Sequence, residues 1–112
     1  MKVFISQPIA GYGNNVIEEV RKNICRLFSI KNEDLIDNFN KTIPSGISIK
    51  NDRVWCLGDS IRLMAMADLV IFAPGWEDAR GCCIEHKLCE EYGIPFTEVK
   101  DTQTLIVSQW LT

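Results

Sequence analysis

Two short stretches of this chain gather the residue types that chemistry uses. The run PGWEDARG at 74–81, continued by CCIEH, places Trp76, Glu77, Asp78, Arg80 and, a turn later, Glu85 where a loop becomes a helix. A carboxylate near a helix N-terminus has its ionised form favoured by the dipole, so ordinary charge complementarity accounts for these acids as readily as a reaction does. The run SQPIAGYGNN at 6–15 offers Ser6, Gln7, Gly11 and Tyr12, whose hydroxyls and backbone N–H groups could meet a sugar or phosphate at the start of the next helix. Gly11-Tyr12-Gly13 opens like a dinucleotide fingerprint, but that pattern requires glycine at position 16, which is Val16. Two glycines permitting a tight turn is the simpler reading.

A third grouping lies on the helix after the second run. Cys82, His86 and Cys89 fall at i, i+4 and i+7, one face, as metal ligands can. Spacing supplies no fourth ligand, and cysteine is commonly a small core residue, so no metal is expected. His86 neighbours Glu85 in sequence but lies about 100° round the helix, which makes it a partly exposed or supporting residue. The five cysteines are an odd set, and Cys82 and Cys83 are adjacent, where a direct bridge would be strained. Free thiols in a reducing compartment fit better.

The elements that must position these residues are legible in outline. Lys2 to Ser6 carries the β-branched and aromatic run of a buried parallel strand. After the glycine-rich loop, Val16, Ile17, Val20, Ile24, Leu27 and Phe28 recur at helical spacing with charges opposite, and Asn15 with Glu18 reads as an N-terminal capping pair. Asp34 to Asn38 is a short second strand. The connection FNKTIPSGISIKNDR, broken by Pro44, Gly46, Asn51 and Asp52, is either an active-site flap or a variable loop. Trp55, Leu57, Ile61 and Met64 mark a core stripe on a helix to Ala67, widened by Leu63 and Met66. A buried strand from Asp68 to Ala73 stops at Pro74-Gly75. A helix from Cys82 to Tyr92 ends at Gly93, with Pro95 close behind, before a last strand at Phe96 to Val99 and an apolar tail at Thr104 to Trp110. Strands alternating with helices imply a parallel sheet covered on both faces, with ligands bound beyond the carboxyl ends of the strands. Both candidate runs sit at such ends.

Composition narrows the function classes. At 112 residues, 46% hydrophobic and 24% charged, the chain suits one globular domain that needs no staple. The net charge of −3 argues against coating nucleic acid, which takes clustered Lys and Arg. No apolar run approaches the ~18 residues of a membrane span, and the opening MKVFISQP enters a strand pattern with no signal-peptide layout. The expectation is a cytoplasmic protein.

The stretch WCLGDSIRLMAMADLVIFAPGWEDARGCCIEHKLCEEYGIPF, with the opening KVFISQP, closely resembles a small bacterial and phage family related to the nucleoside 2-deoxyribosyltransferases. The resemblance covers the opening strand and about residues 55 to 98. Its link to the transferases rests on a strand, a short loop, a glycine and then a glutamate four residues later, here Gly81 and Glu85. In the transferases that glutamate is similar to a glycosidase nucleophile, attacking the anomeric carbon of a 2-deoxyribonucleoside to give a covalent sugar intermediate. Two partner aspartates are displaced by one: their positions hold Ala79 and Ser60, with Asp78 and Asp59 beside them. On a helix a one-residue shift turns a side chain by about 100°.

The resemblance implies a single three-layer α/β domain spanning 1–112 with a mostly parallel sheet, flavodoxin-like or Rossmann-like. It also implies an enzyme of the N-glycosidic bond in a nucleoside or nucleotide. Glu85 is its nucleophile and Asp78 its acid or base, while Ser6, Gln7, Gly11, Tyr12, Asp59, Ser60, Trp76, Arg80 and Gly81 contact the ligand. Arg80 would offer a bidentate fork to phosphate, and Trp76 or Tyr12 a stacking surface. No cofactor is implied. A nucleotide-binding or sequestering protein with the same pocket is the alternative, and an interaction module with a vestigial pocket a third. The apolar tail (Leu105, Ile106, Val107, Trp110, Leu111) and the doubly apolar helix at 56–66 lead to the expectation of a homo-oligomer, at least a dimer.

Overall fold

The computed structural model describes residues 1–38 and 45–100. The apolar tail and the whole 39–44 part of the long connection lie outside the described residues. Three strands, β1 (Val3–Ser6), β2 (Leu69–Phe72) and β3 (Phe96–Glu98), form a parallel sheet in that order. Val3 to Ser6 run in register with Leu69 to Phe72, and Val70 to Phe72 with Phe96 to Glu98. Every residue of β1 is buried, as a strand covered on both faces requires.

The strand alternation sorts the core into two layers. Val3 and Ile5 of β1, with Ile71 and Ala73, pack under Ile24 and Leu27 of helix α1 (Asn14–Leu27). Phe4, Val70 and Phe72 face the other way. They meet Met64 of α2 (Asp52–Met64) and Cys89 of α3 (Arg80–Tyr92). One helix on one face and two on the other make a three-layer α/β domain. No helix among the described residues is long and apolar enough to cross a membrane.

The expected strand at 34–38 contracts to a single parallel bridge, Val3 to Leu35, beside β1. Asn32–Asp34 closes into a 3-10 turn just before it, and past Ile36 the ladder passes to a side chain, with Asn38 Nδ2 donating to the Ile5 carbonyl at 3.0 Å. The spatial order is therefore this edge segment, β1, β2, β3. The chain leaves β1 toward the edge segment and leaves β2 in the opposite direction, so the carboxyl ends of β1 and β2 form the switch point where doubly wound sheets bind ligands. The loops there touch. Gly75 takes a left-handed φ of +84°, and a Cβ on it would lie 3.7 Å from Pro8 Cγ.

Helix boundaries differ from the sequence reading for local reasons. A turn with the Tyr12 N–H donating to Ile9 O at 3.1 Å, and Gly11 at φ +84°, delivers the chain to α1 at Gly13. Gly13 is the N-cap, without a side-chain bond, so Asn15 lies inside the helix rather than capping it. Asn51, read as a breaker, instead caps α2, its Oδ1 accepting from the Val54 N–H at 3.0 Å. Replacing Asn51 by alanine is expected to cost about 1 kcal/mol, measurable as a lowered urea midpoint with an unchanged m-value. α3 ends as expected at Gly93, whose φ of +69° suits glycine.

Candidate functional site

On α3 the inward stripe is Cys82, Glu85 and Cys89, all buried. A carboxylate thus occupies a position that spacing alone would give to an apolar side chain. Burying it is costly unless its oxygens are hydrogen-bonded. Ser6, the last residue of β1 and itself 1% exposed, provides this: its Oγ donates to Glu85 Oε1 at 2.7 Å, and Glu85 is 5% exposed. The pair joins residues 79 apart in sequence. It lies at the carboxyl end of β1, on the face covered by α3. A polar pair retained in a core is a common mark of a functional site.

Cys82 belongs to the same cluster. Burial pushes its thiol up to about 11; a hydrogen bond with Ser6 pulls it partly back, while the charge of Glu85 and neighbouring Cys83 push it further up. Cys89, beside Met64 Sδ at 4.0 Å, is also pushed up to about 11, by burial first and then by Glu85 and Glu90. Both thiols are neutral at physiological pH. Because these folded values stand above the usual thiol value of about 8.5, their contribution to stability is complete below that pH and is lost as pH rises toward about 11. Iodoacetamide at pH 8 is expected to alkylate exposed Cys83 and spare Cys82 and Cys89 until urea unfolds the chain, as peptide mass spectrometry will show.

The other expected contacts divide. Gly81 sits at the start of α3, where a Cβ would meet Leu57 Cδ1 of α2 at an ordinary 3.8 Å. Asp78 and Arg80 are exposed, Asp78 in a 3-10 turn at Trp76–Asp78 and Arg80 as the first residue of α3. Tyr12 and Gly11 are exposed in the turn before α1. Gln7 faces α1, its Nε2 donating to Ile17 O at 2.8 Å, with Oε1 buried and unpartnered among the described residues. Gln7 therefore sits on the opposite face of the sheet from Ser6.

Asp59 and Ser60 show the effect of the displaced register. Ser60 is buried, whereas Asp59 pairs with Arg62 and lines an outer groove of about 660 Å³ with Ile47, Val54, Trp55 and Gly58. Met64 of the expected α2 stripe is core, but Trp55, Leu57 and Ile61 are only half-buried.

Trp76 does not present two free faces. His86 stacks on it with centroids 4.1 Å apart and planes at 7°. The His86 ring also meets Phe72 and Phe96 edge-on, and its nitrogens point to Glu90 and Glu98. Sequence reading missed this stack, and also the approach of Cys82 to Ser6. Neither has a signal in spacing, because the partners come from different elements. Among the described residues no group of three or more His, Cys, Asp or Glu comes together to hold a metal, and the five cysteines are free thiols.

Fold and site together define a small parallel α/β domain with a buried, serine-bonded glutamate beneath its switch point. Comparison of the chain with protein-family models, with curated proteins and with solved structures finds no match in any of the three.

Proposed function

We propose that this chain acts on the N-glycosidic bond of a nucleoside or nucleotide, with Glu85 as nucleophile. The observation that carries the reading is the Ser6–Glu85 hydrogen bond, a carboxylate held in one orientation below the carboxyl ends of two parallel strands. In the reaction a Glu85 oxygen bonds to the anomeric carbon as the carbon–nitrogen bond to the base breaks, and the departing base nitrogen takes a proton. Asp78 is the proton donor, in the turn that leads into α3. Water or a second base then displaces the glutamate from the sugar. Ser6 Oγ holds the carboxylate rotamer throughout. Arg80, at the first position of α3, meets a phosphate where the helix dipole also favours one, and Tyr12 supplies an exposed ring for the base. Five free thiols suit a reducing, cytoplasmic setting, and a homo-oligomer is part of the same proposal.

Two observations favour the second reading, a protein that binds such a ligand without cleaving it. Glu85 is almost wholly covered, and Asp59 is engaged by Arg62 on the wall of the outer groove. Incubation with deoxynucleosides, ribonucleotides and NAD, with chromatography for free base and thermal shift in parallel, separates the two. Base release from at least one compound is the expected result. A thermal shift with no base released from any of them would replace the enzyme reading by the binding one.

A further inference from the structure

His86 is held in a way that depends on its protonation. Nδ1 lies 3.1 Å from Glu90 Oε1 on its own helix, and Nε2 lies 2.9 Å from Glu98 Oε1 on β3. A neutral imidazole has one N–H, so one of these contacts would then set a lone pair against a carboxylate oxygen; only the doubly protonated ring donates to both. The ring is 13% exposed, and one face lies flat on Trp76 at 4.1 Å, an arrangement that favours a cation over an indole. From β2 and β3 the remaining neighbours are the edges of Phe72 and Phe96, which carry no charge. Glu90 and Glu98 are the carboxylates that its ring nitrogens meet, and Glu85 and Lys87 are its charged neighbours along α3.

Trp76 opens the 3-10 turn at 76–78. The Trp76 carbonyl accepts from the Ala79 N–H at 3.1 Å, and Asp78 N–H donates to Gly75 O at 3.1 Å. Whatever holds the indole therefore holds the segment that enters α3 and carries Asp78 and Arg80. We propose that His86 is a protonation-dependent clamp: as imidazolium it bonds Glu90 and Glu98 together and pins Trp76 with its turn, and on losing the proton it releases one carboxylate and loosens that turn. The tie exists while both ring nitrogens carry protons and is lost when one of them leaves. This inference is independent of any reaction at Glu85.

His86 is the one histidine in the chain and Trp76 one of three tryptophans, so both can be followed singly by NMR. The full chain, labelled with 5-fluorotryptophan and with the Trp76 signal assigned by Trp76→Phe, is titrated between pH 5 and pH 9 while the His86 Cε1–H proton is recorded. The expected result is one shared midpoint for the His86 proton and the Trp76 fluorine signal, with Asp78 and Ala79 amides exchanging faster above it after correction for intrinsic rates. Glu98→Gln, at an exposed position, is expected to uncouple the Trp76 signal from His86 protonation, since a glutamine amide can donate to a bare ring nitrogen as well as accept from a protonated one. Glu90→Gln is a second test of the same kind. A Trp76 signal that stays still while the pH is changed across the range, or a Trp76 response that is the same in both glutamine variants as in the wild type, would overturn the clamp.

Discussion

Glu85→Gln is expected to lower base release by a factor on the order of 10⁴ to 10⁶, the scale on which loss of a covalent nucleophile is felt. Glutamine keeps the length of the side chain and an acceptor for Ser6 Oγ, so the 2.7 Å hydrogen bond has a counterpart in the variant. What it lacks is the negative oxygen that forms the bond to the anomeric carbon. Ligand affinity should barely change, and for an anionic nucleotide it should rise modestly because a nearby negative charge is gone. The substitution carries its own structural control. The Glu85 charge helps to hold the Cys82 and Cys89 thiols neutral, so in the folded variant both should become alkylable at lower pH than in the wild type. Base release that persists at the wild-type rate in a folded variant with that thiol response would assign the chemistry to another residue.

How far the site was legible depends on which interactions position it. Strand β1 was readable because Val3-Phe4-Ile5 is buried on both faces, and α3 because Gly93 ends it in a left-handed conformation that glycine adopts without strain and other residues rarely do. The placing of both candidate loops at strand carboxyl ends follows from the alternation of elements, and Gly75 against Pro8 is its physical outcome. The burial of Glu85 was not readable. At helical spacing 82, 85 and 89 fit one face as well as 82, 86 and 89 do, and polarity offers no reason to turn a glutamate inward. That choice is made by Ser6, far away in the chain and visible only once β1 lies beneath α3.

Asp59 and Ser60 illustrate the converse. The 100° rotation between adjacent helical positions was enough to state that Asp59 need not point where its counterpart would, although both residues were read as ligand contacts; the structure buries Ser60 while sending Asp59 to Arg62. The strand read at 34–38 failed because a local 3-10 turn and a side-chain bond from Asn38 took over hydrogen bonds that a ladder would have used. The capping pair at Asn15 failed for a similar reason: turn geometry at Gly11 started the helix earlier. Short-range competition of this kind is weakly encoded in periodicity.

Phe72→Ala is expected to be the most destabilising single substitution considered, at roughly 3 to 5 kcal/mol. Phe72 is fully buried at the carboxyl end of the central strand, with Ser6 opposite it on β1 and Glu98 on β3. Its ring lies 5.4 Å from Trp76, 4.8 Å from His86 and 5.8 Å from Phe96, centroid to centroid. Removing it leaves a void that backbone in the middle of a parallel sheet has little freedom to close. For a domain of this size the loss corresponds to a fall in melting temperature of roughly 4 to 8 °C for each kcal/mol. Phe72→Leu, which retains most of the volume, should cost about 1 to 2 kcal/mol. The aromatic cluster makes a further distinction. Ile71→Val, on the other face of the same strand under α1, should lower stability by about 1 kcal/mol and leave the Trp76 environment alone, whereas Phe72→Leu should shift the Trp76 signal at neutral pH because the stack loses its floor. Chemical denaturation of the three variants, read alongside near-ultraviolet circular dichroism, checks both the ranking and the separation of the two core layers. Equal costs for Phe72→Ala and Ile71→Val would mean that the face toward α2 and α3 is not where this domain keeps its largest packing energy.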